Sequence, residues 1–289
     1  MTPHDFDYLR RLLKERSGLV LSAEKDYLLE SRLLPLARRH GMTSLGELVL
    51  RLRQPGSTAL AIAVTESMTT NETFFFRDRL PFDHLRDTVL PALVAARGRE
   101  KRIRIWCTAA ASGQEPYSIA MMLKAMAAQL TGFRIDILAT DLSVEVIARA
   151  KAGLYSQFEV QRGLPIQLLV KHFEKNGDMW QIAPDLRAMV QFRTLNLLHD
   201  FSPLGQFDVV YCRNVLIYFD QPTKTGVLER LARQMPGDGY LMLGAAETVV
   251  GLTDCFRPVA EKRGLYAPTP AALRRPASYG NVARLAAKY

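Results

Sequence analysis

Residues 103–117 read IRIWCTAAASGQEPY, and this stretch decides the fold of the larger part of the chain. The apolar segment IRIWC predicts a buried strand, the small residues after it predict a tight turn, and Glu115-Pro116 predicts the start of a helix. In open α/β sheets ligands bind beside such a turn, because small residues let them approach the helix N-terminus. Only Gly113 is present and there is no Gly-x-Gly-x-x-Gly pattern, so a plain strand–helix turn remains an open interpretation.

The alternation of strands and helices continues on both sides of this stretch. Further strands are predicted in RIDILATD, FDVVYC and GYLML, and further helices in PFDHLRDTVLPALVAAR, VEVIARAKAG and TKTGVLERLARQM. Such alternation predicts βαβ units and a mostly parallel, doubly wound sheet. MWQIAP and AMVQFRTL interrupt the alternation and predict a small inserted antiparallel β-subdomain at about residues 176–196, and CFRPVAEKRGLYAP predicts a final strand pair.

The first 70 residues follow a different pattern and predict only helices joined by short turns. Ser44 and Glu47, for example, form a capping-box pattern before the segment LGELVLRLR. We therefore expect a helical domain over residues 1–70, a linker at 71–78 and an α/β domain over 79–268.

The composition is that of a globular protein. Of the 289 residues 48% are hydrophobic, which is enough for a packed core. No apolar run approaches the roughly 20 residues of a membrane-spanning helix, so we expect no membrane insertion, and the N-terminus lacks the layout of a signal peptide. Three cysteines are too few for a disulfide framework, and no second Cys or His stands at ligand spacing; we expect a cytoplasmic protein without a metal site.

The net charge of +9 is concentrated at the C-terminus, where residues 262–289 carry six basic and no acidic side chains. This region is also rich in Ala and Pro, which favours disorder in the basic tail at 269–289. A basic tail attracts nucleic acid, anionic lipid or an acidic protein. A solvated end without a dedicated partner is the alternative interpretation.

Polar residues stand where two of the predicted strands end. Asp141 closes RIDILATD, and an acidic residue at this place typically accepts hydrogen bonds from ribose hydroxyls. Asp141 could equally cap the helix that follows. Arg213 and Asn214 come directly after FDVVYC, and buried polar groups there need partners, either in a ligand or in the protein itself.

Residues 70–77 read TNETFFFR, with three consecutive phenylalanines between polar residues. This composition suits neither an amphipathic helix nor a half-buried strand. It predicts a loop that packs over the sheet, buries the rings and presents Asn71, Thr73 and Arg77. The alternative is a hydrophobic plug between two domains.

Five segments together resemble the chemotaxis receptor methyltransferases, the CheR-type protein-glutamate O-methyltransferases. TNETFFFR, WCTAAASGQEPYSIAM, ATDLS, FDVVYCRNVLIYFD and GAAET occur in that family in the same order, and the resemblance runs from about residue 5 to 266. One difference is Ala111, where many relatives have Ser or Cys. The resemblance implies a Rossmann-like class I methyltransferase domain that carries the small β-subdomain and follows a small all-α N-terminal domain.

The resemblance also implies the cofactor, S-adenosylmethionine (SAM), the product S-adenosylhomocysteine (SAH), and a set of site residues. The loop residue Glu115 is expected to be the main polar contact of its segment, and Asp141 is expected at the ribose. Arg77 and Tyr218 resemble the two residues near the transferred methyl group. The cofactor contacts carried over from the family motifs are Asn71, Thr73, Arg77, Glu115, Asp141, Asn196, Leu197, Arg213 and Asn214.

The expected partners are methyl-accepting chemotaxis receptors, whose methylation regions are helical bundles with acidic side chains. Arg32, Arg38 and Arg39 on the predicted second helix, with Arg51 and Arg53 on the third, suit docking by charge complementarity. An ordinary solvated face is the alternative. Some family members also bind a receptor C-terminal peptide through the β-subdomain, but the stretch here looks shorter, so we expect no such tether. The protein is expected to be a monomer that binds no nucleic acid.

Two other functions remain open at this point. One is a methyltransferase of the same fold that acts on another carboxylate, a small molecule or RNA; the basic tail favours RNA, but the core lacks a recognisable RNA-binding module. The other is a non-catalytic module that senses SAM or SAH. The presence of both Arg77 and Tyr218 argues against a loss of activity.

Overall fold

The computed structural model describes residues 2–270 and 272, and its N-terminal part is a bundle of four helices. Local sequence determines where helices start: Thr2 and Asp5 form a reciprocal capping box, and Ser44 accepts a hydrogen bond from the backbone N–H of Glu47. Leucines at helical spacing, such as Leu9 and Leu13, are fully buried between the helices. The four helices are α1 (Pro3–Ser17), α2 (Asp26–Arg39), α3 (Leu45–Leu52) and α4 (Thr58–Met68).

The rest of the described chain forms two sheets with helices around them. The helices are α5 (Leu80–His84), α6 (Leu90–Ala96), α7 (Gln114–Ala125), α8 (Val144–Ala152), α9 (Gln157–Gln161), α10 (Ile166–His172), α11 (Pro184–Ala188) and α12 (Gln221–Arg233). The strands are β1 (Arg102–Cys107), β2 (Arg134–Asp141), β3 (Leu154–Ser156), β4 (Phe173–Asn176), β5 (Met179–Ile182), β6 (Val190–Thr194), β7 (Val209–Cys212), β8 (Tyr240–Leu243), β9 (Phe256–Pro258) and β10 (Leu265–Pro268).

The large sheet has the order β6-β2-β1-β7-β8-β10-β9, in which the first five strands run parallel and the last two pair antiparallel. The chain moves outward from β1 through β2 to β6 and then returns to β7 on the other side of β1. Strand order therefore reverses between β1 and β7, and ligands of open α/β sheets bind outside the carboxyl ends of such a pair. The predicted architecture, a helical part followed by an α/β part with a mostly parallel and a small antiparallel sheet, is confirmed.

The β-subdomain predicted at residues 176–196 does not coincide with the small sheet, because one of its two predicted strands belongs to the large sheet. The small sheet has the order β3-β5-β4, whereas VQFRT forms β6 and pairs parallel with β2 at the edge of the large sheet. Val190 and Phe192 alternate with exposed residues and pack into the main core, where the Phe192 ring lies 5.5 Å from that of Tyr117. Such alternation suits any half-buried strand, so it does not reveal which sheet the strand joins.

The linker segment TNETFFFR packs against the small sheet. Phe75 is fully buried, and its ring meets those of Tyr155 and Phe173 edge to face at 5.1 and 5.6 Å. Phe74 and Phe76 are only half-buried, so the segment buries one ring completely rather than three. Gly163, at φ +83°, lies directly against the linker backbone, and a Cβ added there would overlap the Phe75 carbonyl oxygen.

Replacing Gly163 by Ala should displace the linker. Both Gly163→Ala and the control Gly177→Ala place a side chain at positive φ, which costs about 1–2 kcal/mol, but a Cβ at Gly177 meets no atom within 4 Å. The overlap at Gly163 should add roughly 1–3 kcal/mol to the loss in unfolding free energy. Urea unfolding of the two variants measures this difference. Equal losses would contradict the close approach of linker and loop.

Candidate functional site

A cavity lies outside the carboxyl ends of the parallel strands, at the reversal between β1 and β7. Its walls come from the loop after β1, the ends of β2, β6 and β7, the linker, and the segment after α1. All ten residues predicted for cofactor binding or methyl transfer line it: Asn71, Thr73, Arg77, Glu115, Asp141, Asn196, Leu197, Arg213, Asn214 and Tyr218. They approach one another because parallel strands end at the same edge of the sheet.

Asp141 holds the loop after β1 in place. Its carboxylate accepts hydrogen bonds from the backbone N–H groups of Ala111 (2.9 Å) and Ser143 (3.1 Å). Ala111 has φ +47°, a left-handed conformation that is strained for a residue with a Cβ, and the Asp141 bond stabilises it. The helix-cap alternative for Asp141 is not what the structure shows, because Ser143 is the N-cap of α8. Burial raises the pKa of Asp141, although the backbone hydrogen bonds act in the opposite direction.

Glu115 and Arg213 form a buried ion pair at the base of the cavity, with Oε2 and Nη1 2.6 Å apart. Arg213 also binds the Asp78 carboxylate (2.7 Å) and the Arg77 carbonyl (3.0 Å), so it fixes the end of the linker against β7. Burial raises the pKa of Glu115, and the neighbouring Arg213 guanidinium counteracts this effect. The carboxylate of Glu115 and the guanidinium of Arg213 therefore form a ready-made pair of opposite charges at the base of the cavity.

Arg77 is half-buried and makes one hydrogen bond within the described chain, from Nη1 to the Glu72 carbonyl (2.7 Å). Its guanidinium lies 5.6 Å from the centroid of the Phe74 ring. Arg162 lies over the same ring at 4.5 Å and pairs with the Glu72 carboxylate. Most of the N–H donors of Arg77 are therefore available on the cavity side of the linker.

The side chain of Asn196 joins the two parts of the molecule. Its Nδ2 donates to the carbonyl of Arg16 at the end of α1 (2.6 Å), and its Oδ1 accepts from the backbone N–H of Leu198 (2.9 Å). The amide is thus already engaged within the protein. Leu197 beside it is buried and lines the cavity.

The helical part forms one wall of the cavity, which the sequence interpretation did not foresee. Ser17 and Leu19 line the cavity, and the N–H of Val20 donates to the Tyr218 carbonyl (2.9 Å). Beside Asp141, the Glu66 carboxylate of α4 accepts a hydrogen bond from the first N–H of α8, at Val144 (2.6 Å). No local sequence signal marks these contacts, because their partners are more than 70 residues apart.

The sequence interpretation also missed Thr108, which lines the cavity, and Glu247, which binds a loop that forms part of its wall. The hydroxyl of Thr108 is buried against the cavity. Glu247 is buried and binds the backbone of the loop that carries Asn214 and Tyr218. The motifs TAAASG and GAAET contain these residues, but neither motif by itself indicates which member contacts the site.

Arg32 is not available for docking, contrary to the sequence-based expectation. Its guanidinium donates to the carbonyls of Met68 (2.8 Å) and Thr69 (3.1 Å) at the end of α4, and so it ties α2 to the start of the linker. Arg38 and Arg39 are exposed. Most of the predicted basic tail, 269–289, lies outside the described residues.

Comparison with protein families matches both parts of the chain. Residues 71–265 match the model described as CheR methyltransferase, SAM binding domain, and residues 4–69 match the model described as CheR methyltransferase, all-alpha domain.

The chain belongs to the CheR methyltransferase family.

Curated CheR-family relatives are similar in sequence to this chain over most of their own length. Chemotaxis protein methyltransferase 1 of Pseudomonas aeruginosa is 42% identical over 266 residues, which is 90% of this chain and 96% of the relative. Chemotaxis protein methyltransferase 1 of Vibrio cholerae is 38% identical over 258 residues, 88% of this chain and 93% of that one. The predicted family is confirmed, and the protein is a SAM-dependent methyltransferase.

Similarity to the solved structure of TrmN from Thermus thermophilus is weak, with a TM-score of 0.35 and 16% identity over 66% of this chain and 52% of that one. Within the described residues of this CheR-family chain, no helix combines the length and apolar character needed to cross a bilayer.

The raised pKa of Asp141 predicts that cofactor binding weakens as the pH falls. A carboxyl group with a raised pKa takes up its proton at a higher pH than usual, and the protonated form accepts fewer hydrogen bonds; affinity for SAH should therefore fall as the pH drops through that pKa. Asp141→Asn should weaken binding at neutral pH by roughly 10- to 100-fold, the effect of a charged hydrogen bond.

Calorimetric titration with SAH between pH 5 and 8 measures both effects. Asp185→Asn, which changes an exposed carboxylate in α11, is the control and should bind like the unchanged protein. If Asp141→Asn kept both the affinity and its pH dependence, Asp141 would not contact the cofactor.

Proposed function

We propose that the protein transfers the methyl group of SAM to glutamate side chains of methyl-accepting chemotaxis receptors, giving glutamyl methyl esters and SAH. The observation that carries this proposal is the cavity at the reversal between β1 and β7, lined by all ten residues that the family motifs single out. The names of the curated relatives, chemotaxis protein methyltransferases, support the same substrate class.

The donor set of the cavity suits SAM, which presents a ribose diol, an α-ammonium and an α-carboxylate. The buried carboxylate of Asp141 suits the ribose hydroxyls, and Glu115 beside Arg213 suits the charged amino-acid end. The hydroxyl of Thr108, which lines the cavity, supplies a further donor and acceptor. We assign the linker residues Asn71 and Thr73, and the strand-end residues Asn196, Leu197 and Asn214, to the remaining contacts.

The bound cofactor supplies a methyl group on a positively charged sulfur, so the protein mainly has to bring the acceptor into line. A glutamate side chain has a reference pKa of about 4.3 and is ionised at neutral pH, so no general base is needed. The helical part, through Ser17 and Leu19, closes one side of the cavity to solvent. Alignment of the carboxylate is then the main contribution of the chain.

Arg77 is placed to steer the incoming carboxylate. Among the described residues its guanidinium donates only to the Glu72 carbonyl, which leaves donors to bind an oxygen of the acceptor. Negative charge on the carboxylate decreases in the transition state, so a weak, exposed contact serves transfer better than a tight pair. Tyr218, across the cavity, is assigned to set the angle of approach.

Arg77→Ala should reduce methyl transfer more than cofactor binding. Loss of alignment should lower kcat by roughly 10- to 100-fold, while the Kd for SAH should change by less than about threefold. Initial rates with a receptor cytoplasmic fragment and calorimetry with SAH give the two quantities. Arg99→Ala, at an exposed position, is the control. Equal losses in rate and affinity would show that Arg77 serves binding only.

We assign receptor docking to the end of α2, where Arg38 and Arg39 are exposed to solvent. A helical bundle with acidic side chains complements this charge. Arg32 has no part in the proposed surface, because its guanidinium binds the end of α4.

Charge reversal at both positions, Arg38→Glu with Arg39→Glu, should raise the KM for the receptor fragment by about tenfold and leave kcat nearly unchanged, since rim charges act mainly on encounter. The effect should shrink as salt is added. The matched control reverses Arg99 and Arg257, two exposed arginines of the α/β part. Unchanged methylation kinetics would contradict docking at this end of α2.

One assay separates the proposed function from its competitors. The protein is incubated with methyl-labelled SAM and a receptor cytoplasmic fragment, and base-labile label on the fragment is measured. Carboxyl methyl esters are base-labile, so such label supports the proposal. Label on added RNA instead supports an RNA methyltransferase, and cofactor binding without any transfer supports a sensing module.

The proposal also covers the cellular compartment of the protein and the way in which it binds receptors. The three cysteines are free, which suits a reducing cytoplasm. The β4–β5 hairpin turns over only Gly177 and Asp178, so this turn offers little surface to bind a receptor tether peptide. We propose a cytoplasmic monomer that engages receptors through its helical part without such a tether.

A further inference from the structure

Glu247 makes an unusual number of contacts for one buried side chain. It follows β8 in the segment GAAET and is 9% exposed. Its carboxylate accepts five backbone hydrogen bonds, which come from Asn214 (2.8 Å), Val215 (3.0 Å), Leu216 (2.8 Å), Ile217 (3.3 Å) and Gly244 (2.8 Å). Four of the five donors belong to the loop after β7, so this side chain joins that loop to the end of β8.

The loop needs such an acceptor. Leu216–Tyr218 is a short 3₁₀ turn, and the N–H groups that precede and open a helical turn have no partner inside it. Buried N–H groups without acceptors are costly, and a carboxylate at the start of the turn satisfies them together. Asn214 has φ +57°, in the left-handed region that Asn tolerates, and the chain turns there towards Glu247.

The end of β8 is shaped to bring the carboxylate close. A Cβ added at Gly244 would lie 2.7 Å from the Glu247 carboxylate oxygen and 3.0 Å from the backbone nitrogen of Asn214. Only a residue without a side chain leaves room for that approach. The spacing of three residues between Gly244 and Glu247 lets the Gly244 N–H donate back to the same carboxylate.

Tyr218 completes this turn, and its backbone is held from both sides. Its N–H donates to the carbonyl of Val215 (3.2 Å), whose own N–H is bound by Glu247. Its carbonyl accepts from Val20 of the helical part. The position of the Tyr218 side chain in the cavity therefore depends on where Glu247 holds the start of the turn.

We propose that Glu247 is a positioning residue for methyl transfer, which fixes Tyr218 at the cavity by binding the backbone at the start of its turn. This role rests on the proposed function, because it assigns Tyr218 to the alignment of the acceptor. Glu247 acts through the loop and does not touch the reacting atoms.

Glu247→Gln tests the role in a double-mutant cycle with Tyr218→Phe. The amide keeps the size of the side chain but turns an N–H₂ group towards backbone N–H donors, so the turn should shift. In the otherwise unchanged protein we expect kcat to fall by roughly 10- to 100-fold, with the receptor KM within about threefold. In the Tyr218→Phe background the additional loss should be below about threefold, because both changes then act on the same group.

Amide hydrogen exchange supplies a readout that is independent of activity. The backbone amides of residues 215–217 should exchange faster in Glu247→Gln, whereas Glu174→Gln, an exposed substitution in β4, should leave both their exchange and the methylation rate unchanged. If Glu247→Gln does not fold, Glu247→Asp replaces it; the shorter carboxylate keeps its charge and should give the same pattern with a smaller loss.

Each outcome decides the question. The role is supported if Glu247→Gln lowers kcat strongly in the otherwise unchanged protein, lowers it only slightly in Tyr218→Phe, and makes the amides of residues 215–217 exchange faster. The role is overturned if kcat falls equally in both backgrounds, if amide exchange is unchanged, or if exchange is faster without a fall in kcat. Each of these results leaves the proposed function intact. If the unchanged protein does not methylate the receptor fragment, the proposed function fails and this role fails with it, while the exchange data still report whether Glu247 holds the loop.

Discussion

Three buried carboxylates hold the loops at the carboxyl edge of the large sheet, and the rest of the site depends on them. Asp141 binds the loop after β1, Glu247 binds the loop after β7, and Glu115 pairs with Arg213, which in turn binds the linker. Loops at a strand end expose N–H groups that the sheet no longer satisfies, so each needs an acceptor nearby. Asp141 and Glu115 also line the cavity, whereas Glu247 lies behind the loop that it binds.

The second constraint is the contact between the helical and the α/β parts. Val20 binds the Tyr218 carbonyl, Asn196 binds the Arg16 carbonyl, and Glu66 caps α8. These contacts hold the helical part against the α/β part, so that Ser17 and Leu19 form one wall of the cavity.

The segments that were interpreted correctly from the sequence share one property: their signal is local. The strand IRIWC, the turn after it and the strand-end residue Asp141 each follow from a few neighbouring residues, and their convergence follows from the geometry of parallel strands. The errors concern residues whose partners are distant. Arg32 was expected to face a receptor but binds carbonyls at the end of α4, and VQFRT was expected in the small sheet but pairs with β2.

By itself, the sequence determined the family, the two-part architecture and the ten residues that line the cavity, because motifs and periodicity are written in short stretches of chain. Only the tertiary structure decided which groups are already engaged and which are free. Arg213 is paired with Glu115, Arg77 keeps most of its donors, and Glu247 supports the turn of Tyr218. The physical reason is that a hydrogen bond or ion pair depends on distances between residues far apart in the chain, and only the folded backbone sets those distances.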